Sequence, residues 1–266
     1  MNQADSVSMG IEERAARQLA DYDARQPGTM FAEGVVMSVA EGYELQAAVA
    51  KLRCSRGERI IGYKVGCTAP KTRVQLGIEH CVTGRLYDSE KHDSGATLAR
   101  GEFADLAIEG ELAVELLREP VSDDFVEGEI PACVSQVIPV IELHHFVMRS
   151  EQPSAGELIA NNAIHGGIVV GRGVRREEIQ LAQIETSLAI YADDRLVEDC
   201  AGLPLIRTIA SSLQWLREIV RERGDRLSAG QIVLTGSIPR LIPIQVDCRL
   251  RVEAPPFGSV EAKIVT

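Results

Sequence analysis

The run Leu106-Ala107-Ile108-Glu109-Gly110-Glu111-Leu112-Ala113-Val114-Glu115-Leu116 sets two carboxylates two residues apart in an otherwise apolar segment. On a β-strand side chains alternate between faces, so Glu109 and Glu111 leave the same face, about 7 Å apart along the chain. Two such charges do not suit a hydrocarbon interior. A second apolar run, Val137-Ile138-Pro139-Val140-Ile141-Glu142-Leu143, carries another acid, and a third, Ile60-Ile61-Gly62-Tyr63-Lys64-Val65-Gly66, carries a lone lysine. Buried charges are costly unless they are paired or coordinate a metal. The three acids and the lysine therefore read as one site, a hard divalent cation held by Glu109, Glu111 and Glu142 with a cationic group beside it. The bland alternative, solvated glutamates on open strand faces, would leave a very apolar opposite face. Oxygen ligands suit Mg²⁺, Mn²⁺ or Ca²⁺ rather than zinc. Three carboxylates leave octahedral positions for water and a bidentate substrate, which points to catalysis.

The surrounding pattern predicts an α+β domain. Apolar or small residues at Ile11, Ala15, Ala16, Leu19, Ala20 and Tyr22 form a helical stripe over 11–25, ended by Gln26-Pro27-Gly28. A second helix is predicted over 42–54, with Tyr43, Leu45, Val49 and Leu52 inward. From residue 60 short β-branched runs broken by glycine predict strands over 60–65, 85–87, 106–116, 134–143, 167–170, 187–191, 231–234, 244–252 and 260–265. Further helices are predicted over 70–76, 123–133, 155–163 and 204–223. The last of these puts Leu205, Ile209, Leu213, Leu216 and Val220 near one face, with Pro204 in its first turn and Gly224 as its C-terminal cap. The simplest assembly is one unit on a large, curved, mostly antiparallel sheet. Residues 1–58 then form a helical region packed on a core of residues 59–266.

A net charge of −11 argues against a nucleic-acid partner, because phosphate binding needs clustered Lys and Arg. No stretch approaches the roughly 18 apolar residues of a membrane span, and residues 1–14 have no signal-peptide apolar core. A cytoplasmic protein without membrane association is expected. The 6 cysteines are scattered without a CxxC pair, against a zinc site or a redox dithiol.

Other motifs leave alternatives open. Lys64, between Gly62 and Gly66, reads as a lysine reaching water from a strand end, or as a group that binds a substrate carboxylate or moves protons, since a buried lysine titrates lower than a free one. Asn161-Asn162 and Thr235-Gly236-Ser237 read as loop ends that donate neutral hydrogen bonds, or as plain turn chemistry. His144 shares the face of Glu142 if that strand continues, and reads as a supporting or core histidine more than as a ligand.

At Gly62-Tyr63-Lys64-Val65-Gly66-Cys67-Thr68, Gly84-Arg85-Leu86, Glu109-Gly110-Glu111, Pro139-Val140-Ile141-Glu142, Asn162-Ala163 and Leu234-Thr235-Gly236-Ser237, the sequence resembles the 2-keto-4-pentenoate hydratase and 4-oxalocrotonate decarboxylase family. That family belongs to the fumarylacetoacetate hydrolase superfamily. The resemblance spans nearly the whole chain. It implies a fumarylacetoacetate-hydrolase-like β-roll with peripheral helices, and Mg²⁺ or Mn²⁺ held by Glu109, Glu111 and Glu142. It also implies an active-site lysine at Lys64 and substrate contacts around Asn162, Thr235 and Ser237. Such enzymes degrade meta-cleavage products of aromatic compounds, often as homo-oligomers, in complexes with a partner hydratase, decarboxylase or aldolase. Two positions depart from the pattern. Val82 stands where these hydratases carry an acid, and Asn161-Asn162 where they tend to carry Asp-Asn.

The implied reaction is hydration of a 2-hydroxypenta-2,4-dienoate-type 2-oxo acid to a 4-hydroxy-2-oxo acid. The alternative is decarboxylation of a 2-oxo-3-hexenedioate, which needs the same electron sink but not the acid missing at Val82. A different class of reading is a non-catalytic protein that binds 2-oxo acids or stabilises a partner.

Overall fold

Both acid-bearing runs become long, directly paired strands, and the rest of the fold is arranged around that pair. The computed structural model describes residues 9–26, 28–147, 153–179, 186–201 and 203–266. In chain order the helices are α1 (Ile11–Asp23), α2 (Thr29–Ala32), α3 (Val39–Ser55), α4 (Pro70–Leu76), α5 (Ala155–Ala160) and α6 (Leu203–Glu222). The strands are β1 (Ile60–Gly66), β2 (Val82–Tyr87), β3 (Lys91–Asp93), β4 (Ala96–Ala99), β5 (Ala107–Leu116), β6 (Val134–His144) and β7 (His165–Val170). They continue with β8 (Val174–Arg175), β9 (Ser187–Ala192), β10 (Arg195–Ala201), β11 (Ile232–Leu234), β12 (Ile242–Pro243), β13 (Cys248–Glu253) and β14 (Ser259–Val265).

Two sheets result. One runs β2-β1-β11-β5-β6-β7-β3, with β12 added to β5 and β8 to β6; the other runs β10-β9-β13-β14-β4. Most pairings are antiparallel, as expected of the α+β class; β1 with β11, β3 with β7, and β14 with β4 are parallel. The main core fills the space between the sheets. On that side of β5, Ile108, Leu112 and Val114 are buried, and a Cβ on Gly110 would lie 2.8 Å from Ile190 and 3.0 Å from Val252 of the other sheet. Leu205, Ile209, Leu213, Leu216 and Val220 of α6 join this core, and Gly224 takes the left-handed conformation (φ 77°) just past the helix end.

The N-terminal helices are held to the sheet by a buried cation. Arg53 of α3 stacks over the Tyr87 ring at 3.6 Å and pairs with Glu58 at 2.5 Å and Glu90 at 2.6 Å, while Tyr22 of α1 donates to Glu90. Ser38 and Glu41 form a capping box at the start of α3.

Several sequence expectations shift. In α1 the inward residues are Ala15, Gln18, Leu19 and Asp21, not Ile11, Ala16 or Ala20. Gln18 and Asp21 can face inward because Gln18 donates to Asn161 and Asp21 accepts from the Thr29 N–H. Pro27, expected to end this helix, and residues 1–8 lie outside the described residues. The helix expected over 123–133 is only a 3₁₀ turn at Ser122–Asp124. Asp124 spends its carboxylate on Arg118 and the Val121 N–H, and Pro131 opposes helix continuation. The helix expected over 155–163 stops at Ala160. Strand β10 falls outside every strand range the sequence predicts; Asp193 and Asp194, both at positive φ (47° and 64°), form a tight two-residue hairpin turn from β9 into it.

Candidate active site

Register assembles the site. Glu109 lies directly opposite Glu142 across β5 and β6, and Glu111 opposite Val140, so all three glutamates share one face of the larger sheet. Lys64 of β1 sits opposite Leu234 of β11, which sits opposite Ala113 of β5. β2, the neighbour of β1, also packs against β7, the neighbour of β6, so the curl of the sheet brings the lysine to β6. Its Nζ lies 2.6 Å from Glu142 Oε1 and donates to the Ala163 carbonyl at 3.1 Å.

Glu142 is the hub. Its Oε1 also meets His165 Nδ1 at 2.8 Å, and its Oε2 lies 3.9 Å from His144 Nε2. Burial works against its charge, but Lys64, then His144 and His165, hold its carboxyl well below the usual range. Burial likewise opposes charge on Lys64, and the pull of Glu142 and Glu109 outweighs it, so the lysine titrates above its ordinary value. This reverses the sequence expectation, which rested on burial alone. Glu111 goes the other way: burial and the charges of Glu142 and Glu109 push it well up, while Gly236 N–H donates to its Oε2 at 2.6 Å. Two carboxyl groups so close cannot readily both ionise without a cation between them.

A left-handed turn supports the lysine. Asn162, Ala163 and Ile164 all have positive φ (54°, 52° and 57°), which presents the Ala163 carbonyl to Lys64. Asn162 locks the turn to β2: its Oδ1 accepts from Arg85 N–H at 2.7 Å and its Nδ2 donates to Arg85 O at 2.8 Å. Only glycine fits opposite, since a Cβ on Gly84 would lie 2.5 Å from the Asn162 carbonyl oxygen.

A cleft of about 1000 Å³ opens over this floor. Lys64, Glu109, His144 and Ser237 line it, and Val82, Leu158, Ala163 and Ile164 supply an apolar wall. Glu142 and Glu111 lie beneath, 1% and 2% exposed. Ser237 donates to the Pro239 carbonyl at 2.9 Å from the cleft wall. Asn162 instead borders a separate small hollow with Arg53 and Tyr87, and Thr235 donates to the Leu112 carbonyl at 2.7 Å inside the sheet. Cys67, also on the cleft wall, has its thiol pushed up to about 11 by burial, which disfavours a thiolate nucleophile at neutral pH.

The residues present fit a divalent cation. Glu109, Glu142 and His144 each offer a ligand atom, and these atoms lie within 4.8 Å of one another. Neither ring nitrogen of the buried His144 has a hydrogen-bond partner. The histidines carried weak sequence signals. His144 stands two residues after Glu142 on the same face, whereas His165 joins only through its register with His144.

No family model matches the chain. It is 26% identical over 230 residues to a 4-oxalocrotonate decarboxylase of Pseudomonas putida, covering 86% of each chain. It is 24% identical over 221 residues to a 2-keto-4-pentenoate hydratase of Burkholderia vietnamiensis, covering 83% of this chain and 84% of the other. Among solved structures, 4-oxalocrotonate decarboxylase from Pseudomonas putida G7, complexed with magnesium and adipate, superposes with a TM-score of 0.86 at 22% identity over 96% of this chain and 97% of that one. Fumarylpyruvate hydrolase from Pseudomonas aeruginosa, in complex with Mn²⁺ and pyruvate, gives 0.58 at 14% identity over 76% of this chain and 88% of that one. The chain has the fold of the fumarylacetoacetate hydrolase superfamily and is related, along most of its length, to the 2-keto-4-pentenoate hydratases and 4-oxalocrotonate decarboxylases.

Proposed function

We propose that this protein is a divalent-metal-dependent lyase that adds water to a 2-hydroxypenta-2,4-dienoate-type acid, giving a 4-hydroxy-2-oxo acid. The convergence of Glu109, Glu142 and Lys64 at the floor of one cleft carries this reading. Relatives named for this hydration, and a solved neighbour holding magnesium, support it. Glu109, Glu111 and Glu142 would hold Mg²⁺ or Mn²⁺, which supplies Lewis-acid stabilisation of negative charge on the 2-oxo oxygen.

The chain's own groups do the rest. Lys64, kept charged by Glu142, binds the substrate carboxylate. The Ser237 hydroxyl, whose proton goes to the Pro239 carbonyl, can accept a hydrogen bond from the cleft wall, while Asn162 and Thr235 fix the segments that carry Ala163 and Ser237. Val82, Leu158 and Ile164 receive the unsaturated tail and exclude water from all but its conjugated end.

One observation favours decarboxylation of a 2-oxo-3-hexenedioate as a second reading. Glu109 is the one carboxylate among the described residues lining the cleft, so the apolar wall at Val82 offers no acid to deliver a proton for water addition. Incubation with Mg²⁺ and each acid separates the two. Water addition to the dienoate is the expected result; release of CO₂ from the hexenedioate without water addition overturns it, and turnover of neither overturns both.

A cytoplasmic homo-oligomer, associating with a partner hydratase, decarboxylase or aldolase, belongs to the same proposal. The exposed apolar side chains Val36, Val74 and Val246 are compatible with such contacts. No helix among the described residues is long and apolar enough to cross a membrane.

A further inference from the structure

His144 is the buried polar side chain at the cleft that the reaction above does not use. It is 1% exposed and borders the cavity, and its Nε2 lies 3.3 Å from Glu109 Oε2 and 3.9 Å from Glu142 Oε2 without completing a hydrogen bond to either. An imidazole deprived of water and of hydrogen bonds is costly unless something else occupies its lone pair. The two carboxylates it faces are the ones whose oxygens cluster with Nε2, and Glu111 beside them receives the Gly236 N–H through Oε2 alone.

We propose that His144 Nε2 is an additional, nitrogen ligand of the ion held by Glu109, Glu111 and Glu142, so that the site prefers a first-row transition dication such as Mn²⁺ over Mg²⁺. This rests on the metal-dependent reading above. The chemistry follows from donor type: Mg²⁺ and Ca²⁺ take oxygen ligands and gain little from imidazole, while affinity for nitrogen-containing sites rises from Mn²⁺ along the first row. His144 enters the set because β6 continues two residues beyond Glu142, which returns its side chain to the acid-bearing face. With Glu111, the protein ligands from β5 and β6 are four and leave two octahedral positions, enough for a chelating 2-oxo acid entering from the cleft.

The test uses the full-length protein loaded with Mn²⁺ and read by electron spin-echo envelope modulation, with Mn²⁺ against Mg²⁺ competition alongside. The expected result is nitrogen coupling from a directly bound imidazole, lost in His144→Gln and retained in His165→Gln. The preference for Mn²⁺ should fall about tenfold or more in His144→Gln. Bound Mn²⁺ without nitrogen coupling in the unaltered protein, or coupling that survives His144→Gln, overturns the proposal and leaves the metal-dependent reading standing. Failure to bind Mn²⁺ at all overturns both. If His144→Gln does not fold, ¹⁵N-histidine labelling of the unaltered protein and of His165→Gln decides the matter: a histidine coupling that survives His165→Gln supports the proposal, and one lost there overturns it.

Discussion

Lys64 Nζ lies 2.6 Å from Glu142 Oε1, and the two side chains are 4% and 1% exposed. Each is the largest compensation for the other's buried charge. Lys64→Met should therefore abolish turnover and cost about 3–5 kcal/mol of stability, since it strands a buried carboxylate. The double variant Lys64→Met with Glu142→Gln should recover much of that stability in denaturant melts and none of the activity. Additive losses would show that the pair does not act as a unit.

Chelation of divalent ions should stop turnover, and Mg²⁺ or Mn²⁺ should restore it. Glu109 is the most exposed of the three acids, at 22% for its side chain. Glu109→Gln should consequently keep the fold and lower turnover by roughly 100-fold or more, the equivalent of several kcal/mol of lost charge stabilisation. Unchanged rates at saturating metal would remove Glu109 from the site.

Gly84→Ala tests the turn that supports Lys64. The new methyl would meet a backbone carbonyl, which cannot rotate aside, so the turn at Asn162 must move. A cost of about 1–3 kcal/mol is expected. With Ala163 displaced, kcat should fall while affinity for the metal, measured by titration, stays near its original value.

Arg53→Met should loosen the N-terminal helices, because Glu90 then loses its buried partner; thermal melts should show a loss of about 3–5 kcal/mol. The same variant changes the acid limb of stability. Burial opposes ionisation of Glu58, but hydrogen bonds from Arg53 and Arg56 prevail and hold its carboxyl below the ordinary value. A depressed folded-state pKa gives stability that is present above the unfolded value of about 4.3 and is lost as pH falls through the folded one. Removing Arg53 should flatten that acid dependence, as followed by melts between neutral and acid pH.

Much of this site was legible in local sequence, because alternation fixes which side chains share a face once a strand is assumed. Glu109 and Glu111 needed nothing more. The meeting of Lys64 with Glu142 needed the order of strands, in which β11, distant in the chain, intervenes between β1 and β5. Local pattern carries no such information. The cost of burying unpaired charge supplied the grouping that periodicity could not. Asn162 looked like a loop-end donor, and the geometry shows why the residue type alone is ambiguous: both ends of its amide are engaged by the Arg85 backbone. Arg53 carries no signal of its role in the sequence, because its burial depends on a ring and two carboxylates outside its own helix.

Gly110 separates the two glutamates and presses its bare Cα against Ile190 and Val252 of the facing sheet. The spacing of the acids and the thickness of the hydrophobic interior are thus set by the same backbone segment. A side chain introduced at 110 would act as a wedge, prying the layers apart and tilting both carboxylates at once, so the ion-binding cage cannot be retuned there without loosening the whole sandwich.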